Sequence, residues 1–234
     1  MFINQCFVST KQKIKLTQTI LFPKITLLTT QYRSEIMSTV AEHSHHKLKT
    51  VDIVYIGLFS TLMMIGANIT SFAPFMVVGG VPITLQTFFS ILAGLILGSR
   101  KGALACTVYM LIGLAGAPVF ARFGGGFGQI LSPTFGFILV FILVAYAAGL
   151  IVERSRTKKS YIIAALVATA LNYLIGTNLM YLAYKLWASA PEGFTYKLAW
   201  LWMMPPLPKD ISLAVFAGIF AYRMQKVLKI TPIK

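Results

Sequence analysis

The sequence predicts an all-α integral membrane bundle of six transmembrane helices, with both termini cytoplasmic. Three observations carry this expectation. The 234 residues are 57% hydrophobic and only 12% charged, with a mean hydropathy of +0.76, against roughly 45–50% apolar and 25% charged in an ordinary soluble domain. The apolar residues fall in runs close to the ~20 residues that cross a hydrocarbon core. The basic residues sit in tails and short turns between those runs, so the net charge of +15 reads as membrane orientation and excludes a nucleic-acid surface.

Taken in order, residues 1–50 form a basic cytoplasmic tail, expected to be disordered, ahead of a single membrane domain over 51–234. The tail carries Lys11, Lys13, Lys15, Lys24, Arg33, Lys47 and Lys49 against Glu35 and Glu42, and its apolar runs are too interrupted to span. It lacks the long apolar core and cleavage site of a secretory signal. Met37 offers a second translation start. His43, His45 and His46 lack the Cys or carboxylate spacing of a metal site, so no metal is expected. Cys6 and Cys106 share no partner geometry, and Cys106 reads as a small packing residue.

The first span covers about 52–72. Gly57 and Thr61 make a small-xxx-small pair along it, a stripe that lets another helix come close, within the bundle or from a partner. Asn68, an amide in the last third of a membrane helix, needs a partner and faces the interior or a ligand. An uncharged turn with Pro74, Gly79, Gly80 and Pro82 leads to a second span over 81–98, headed by Thr84, Gln86 and Thr87. The hinge Ser99-Arg100-Lys101-Gly102 joins it to a third span over 102–116, making an antiparallel pair. A glycine-rich loop follows with Pro118, Arg122, Gly124, Gly125, Gly126 and Gly128. Spans over about 134–152 and 160–186 come next, then a connection, 187–208, rich in aromatic residues and proline. The last span starts near Asp210.

Alternating the connections places 17 of the 21 Lys and Arg residues on one side, which the positive-inside rule makes cytoplasmic. Arg122, Lys185, Lys197 and Lys209 fall on the other. The Gly79–Gln86 turn, the glycine loop and the Asp210 end therefore converge on the outer face, and a site is expected there.

The stretch GGVPITLQTFFSILAGLILGSRKGALACTVYMLIGLAGAPVF, with GGGFG and SPTFGF after it, resembles the signature of the BioY family, the biotin-specific substrate-binding (S) components of energy-coupling-factor (ECF) transporters. The similarity is dense over 79–152 and continues through the first span, the fifth, and Leu207-Pro208-Lys209-Asp210. It implies a six-helix protein of the cell membrane that binds biotin from outside and docks to an ECF transmembrane coupling subunit and two ATPase subunits. Biotin is then the transported ligand, with no cofactor. The chain departs from the family where it has Arg122, often small or uncharged there, and at Leu213, where a lysine often follows the acid by one turn.

Biotin's chemistry tests the candidate residues. Its ureido ring has two N–H donors and one carbonyl, its thiophane ring and valeryl chain are apolar, and its tail ends in a carboxylate. Asp210 can accept from the ureido N–H groups, while Gln86, Asn172 or Asn178 can donate to the ureido oxygen. Thr84 lies beside Gln86, and Tyr173 beside Asn172. Gly124, Gly125 and Gly126 let backbone approach the ligand and expose N–H groups, and Arg122 can pair with the carboxylate. Each has a plainer reading. Asp210 also suits a helix N-terminus, Gln86 a helix–helix bond, Arg122 a snorkelling loop cation, and Tyr173, Tyr181 and Tyr184 an interface belt or core.

No G-x-x-x-x-G-K-[ST] motif occurs, so this polypeptide does not cradle ATP in the Walker manner. Uphill transport then requires partner subunits, and the Gly57/Thr61 stripe is the candidate docking face. The spans offer no histidine and no nucleophile–base constellation, which argues against an enzyme. An S component for a different vitamin, or a stand-alone biotin permease, is the alternative.

Overall fold

In a computed structural model, residues 48–72, 77–78 and 81–228 are described. Residues 1–47 of the basic tail, with its histidines, Cys6 and Met37, and the residues Pro74, Gly79 and Gly80 of the first turn, lie outside the described residues, while Thr50 at the end of the tail already opens the first helix. So do Lys229 and Lys234.

The regular elements of the described chain are helices, apart from one two-residue ladder and an isolated bridge between Phe120 and Gly124. Helix α1 spans Thr50–Asn68 and continues into a short 3-10 turn, Ile69–Phe72. Strands β1 (Val77–Val78) and β2 (Val81–Pro82) pair antiparallel. Helices α2 (Gln86–Leu97), α3 (Ser99–Leu114), α4 (Phe135–Arg154) and α5 (Lys158–Leu186) follow. The eight-residue α6 (Tyr196–Met203) precedes α7 (Leu207–Leu228). Two 3-10 turns, Ala121–Phe123 and Phe127–Leu131, lie between α3 and α4.

The second span is shorter than its apolar run. Residues 81–85 are not helical, because Val81 and Pro82 pair with β1 and the Leu85 N–H bonds Gly66 O at 3.0 Å. What remains is a helix of 12 residues, about 18 Å at the usual rise. The four-residue hinge is likewise absent. Only Gly98 separates α2 from α3, at φ 86 and ψ 176, a conformation that a side chain disfavours. Ser99, Arg100 and Lys101 already belong to the first turn of α3. Its exposed donors are met from a distance: Glu153, in the last turn of α4, accepts from Ser99 N at 2.7 Å and from Ser99 Oγ at 3.0 Å. A carboxylate at a helix N-terminus is also favoured by the helix dipole. Lys101 turns aside to Asp52 on α1, 2.6 Å away.

Among the described residues, α1, α4 and α5 are long and apolar enough to cross a membrane by length and composition alone, and α2 is apolar but shorter. Helix α2 is the axis of the bundle. Every residue from Ser90 to Ser99 on and beyond it is buried, as expected for a helix apolar all round. Its neighbours come within backbone distance because their contacts are small: a Cβ on Gly94 would lie 2.2 Å from Ala145 O, and one on Gly102 2.7 Å from the Gly94 Cα. Cys106 is fully buried, a packing residue as its sequence suggests.

The Gly57/Thr61 stripe faces away from the bundle. Nothing lies within 4 Å of a Cβ built on Gly57, and Thr61, exposed, spends its hydroxyl on Gly57 O at 2.9 Å. Val54, Leu58 and Ile65 are exposed on the same helix, at 64%, 51% and 58%.

A candidate ligand-binding site

The heads of α2 and α7, the middle of α5 and the segment after α3 enclose a cavity. Gln86 and Thr87 enter from the first turn of α2, Asn172 and Tyr173 from α5, and Lys209 and Asp210 from the first turn of α7. Phe120, Phe137, Phe141 and Met203 supply apolar wall. The cavity measures about 90 Å³. It opens into a depression of about 530 Å³, with which it shares Pro82, Ala121, Gln129, Ser132 and Thr134.

At the polar end, Asp210 is 7% exposed, and both its oxygens have donors. The Tyr173 hydroxyl donates to Oδ2 at 2.7 Å, and Lys209 Nζ lies 2.9 Å from Oδ1. A carboxylate oxygen has two lone pairs, so each retains one for a ligand. Lys209 also donates to Thr84 O at 2.6 Å, which ties α7 to the residues ahead of α2.

The amides are less evenly paired. Gln86 donates from Nε2 to the Tyr109 hydroxyl at 2.6 Å and accepts at Oε1 from Thr84 Oγ1 at 3.1 Å. One N–H remains. Asn172, 3% exposed, donates to Thr87 Oγ1 at 3.4 Å, while its Oδ1 is buried without a partner. An orphaned buried acceptor costs free energy unless something fills it.

Of the residues singled out from sequence, the cavity brings together Thr84, Gln86, Asn172, Tyr173 and Asp210. Arg122 lines the outer depression instead. Three others do not reach either space. Gly125 packs the loop on itself, where a Cβ would meet Ala117 O at 2.3 Å, and the Gly126 N–H is spent on Gly113 O at 2.7 Å. Gly125 and Gly126 thus fold the loop, while Gly124 and Gly128 line the depression beside Arg122. Asn178 is exposed one helical face away, bonded to Leu174 O and to the Tyr196 hydroxyl. Tyr181 and Tyr184 join an aromatic cluster with Phe194 and Trp202 outside the cavity.

The match to known proteins is extensive. The BioY family model covers residues 39–230. The chain belongs to the BioY family. A putative biotin transporter BioYB of Bacillus subtilis is 48% identical over 177 residues, covering 75% of this chain and 88% of that one. The biotin transporter BioY of Thermotoga maritima is 30% identical over 176 residues, covering 75% and 96%. The fold matches a 2.1 Å crystal structure of the S-component for biotin from an ECF-type ABC transporter with a TM-score of 0.63 and 17% identity, over 78% and 94% of the two chains. BioY proteins are transporters and not enzymes, and this one is a multi-pass protein of the cell membrane.

The cavity is also lined by Lys209, Gln129, Ser132 and Thr134, which the sequence does not single out as binding residues. Those last three are polar residues at the head of an apolar span, the same signal that marked Thr84 and Gln86.

Proposed function

We propose that this BioY protein captures biotin from the outer face and carries it across the cell membrane as the S component of an ATP-driven ECF-type transporter. The reading includes six spans, cytoplasmic termini, and partners consisting of a transmembrane coupling subunit and two ATPase subunits. The observation that carries it is the distribution of polarity in the cavity. Acceptors on Asp210 and Asn172 and the remaining donor on Gln86 line the cavity together with an aromatic and aliphatic wall, and beside Lys209 at the acid a second cation, Arg122, lines the adjoining depression. That set of groups matches a ureido head, an apolar bicycle and chain, and a terminal carboxylate. The head belongs at Asp210 and Asn172, and the tail runs past Ser132 and Gln129 to Arg122. The names of the relatives point to the same ligand.

Ligand-dependent melting of the purified protein against a panel of vitamins tests the reading, with biotin expected to give the largest rise. Asp210→Asn should weaken biotin by roughly ten- to a hundredfold, the ~1–3 kcal/mol of leaving donors unmet in a buried site. A larger shift from another vitamin would reassign the ligand. ATPase subunits following the protein in a pull-down from native membrane would support the coupling.

A further inference from the structure

The wall of the cavity between α3 and α4 is bonded at two points by a side chain that does not itself line the cavity. Asn68, the last residue of α1, is 8% exposed. Its Nδ2 donates to Val119 O at 3.2 Å and to Met64 O at 3.1 Å. Its Oδ1 accepts the Phe123 N–H at 2.7 Å. A single amide therefore grips the backbone at both ends of residues 119–123.

What lies between those two bonds is functional wall. Phe120, 2% exposed, and Ala121 line the cavity, and Ala121 and Arg122 line the depression. The segment is also strained. Arg122 and Phe123 stand at φ 61 and φ 56, left-handed values that non-glycine residues adopt at a cost. Neither is a glycine, although the loop has four close by, and the Gly124 N–H closes the turn across them onto Ala121 O at 3.4 Å. The Phe120 N–H bonds Gly124 O at 3.0 Å within the turn. Beyond that, Asn68 bonds Phe123 and, with the Tyr109 hydroxyl at 3.4 Å, Val119. Tyr109 in turn accepts from Gln86 and meets the Phe120 ring edge-on at 5.5 Å.

We propose that Asn68 is a positioning residue for the ligand site: it holds the left-handed turn at Arg122–Phe123, and through it sets Phe120 and Ala121 against the ligand and Arg122 at the mouth. The proposal rests on the reading of the cavity as a biotin site, and it names the residue that controls how long the ligand stays. A wall clamped from outside the pocket governs escape more than recognition, so the expected signature is in the dissociation rate.

The test is a chase of labelled biotin from the purified protein. Asn68→Ala should raise the dissociation rate by about tenfold or more, equivalent to one hydrogen bond of order 1.4 kcal/mol. Phe123→Asn alone should leave it unchanged, since Phe123 lines neither space. Asparagine favours the left-handed region without glycine's added freedom, so Phe123→Asn should restore most of what Asn68→Ala loses. Unchanged dissociation in Asn68→Ala, or no recovery in the double variant, would overturn the proposal and leave Asn68 as an ordinary end to α1. Should Asn68→Ala fail to accumulate, Asn68→Asp is read in its place, keeping the acceptor for Phe123 and losing the donor to Val119. Trypsin cleavage after Arg122 without ligand reads the same hold independently. It should quicken in Asn68→Ala and slow again with Phe123→Asn, even if the parent proved not to bind biotin. Equal cleavage in parent and Asn68→Ala would again overturn the clamp.

Discussion

Lys209 Nζ lies 2.9 Å from Asp210 Oδ1 and also donates to Thr84 O at 2.6 Å, so one ammonium neutralises the buried acid and fastens the head of α7 to the approach to α2. Adjacent residues on a helix do not normally face each other. Here both sit in the first turn of α7, and the long Lys209 side chain reaches the Asp210 carboxylate and Thr84 O together.

Lys209→Met should therefore destabilise the protein by about 2 kcal/mol, since it leaves the Asp210 charge without its cation. The estimate stays below the ~3–5 kcal/mol of a fully buried pair because the Lys209 side chain is 28% exposed. Adding Asp210→Asn should recover most of the loss by removing the orphaned charge. Melting of the single and double variants in one detergent checks this. A double variant less stable than Lys209→Met would mean that the acid stabilises the fold by other contacts.

If Arg122 holds the biotin carboxylate, the parent should bind biotin amide more weakly than biotin, and Arg122→Ala should bind the two nearly equally. Calorimetry with both ligands decides between this and a role in the loop alone. In the latter case the mutation would weaken acid and amide to the same degree.

Docking of a coupling subunit needs close backbone approach, because lipid supplies no hydrophobic drive between helices. The outward stripe at Gly57 and Thr61 offers it. Gly57→Leu with Thr61→Leu should abolish ATP-driven uptake and co-purification of partner subunits while biotin binding to the isolated protein stays intact. Uptake that survives would move the docking surface elsewhere.

Two glycines of similar sequence setting should behave in opposite ways. Gly57→Ala adds a methyl into open space and should leave the melting temperature unchanged. Gly94→Ala puts one 2.2 Å from Ala145 O, backbone that can yield only by separating α2 from α4, and overpacking of this kind costs about 1–3 kcal/mol or more. Equal melting of the two variants would contradict the packing at the α2–α4 crossing.

Sequence alone determined the helical class, the membrane environment, the order of the apolar segments and the family. Those properties follow from composition and from local runs of apolar residues, and they survive ignorance of every contact. It also marked Thr84, Gln86, Asn172, Tyr173 and Asp210, because a polar side chain in an apolar helix is costly wherever that helix packs. Tertiary structure alone decided which of the marked residues share a space. Asn172 and Asn178 lie six positions apart on α5, yet the first is 3% exposed and lines the cavity while the second is exposed, since 3.6 residues per turn puts them on different faces and only packing says which is inner. The length of α2 was likewise undecided locally: the Leu85–Gly66 bond joins residues nineteen positions apart, outside a local window, while the pairing of Val81 and Pro82 with Val78 and Val77 is a short-range turn that an apolar run does not reveal. Asn68 shows the same limit most clearly. Its need for partners was legible, but that those partners are Val119 and Phe123, more than fifty residues away, was set by the fold that brings the end of α1 beneath the loop.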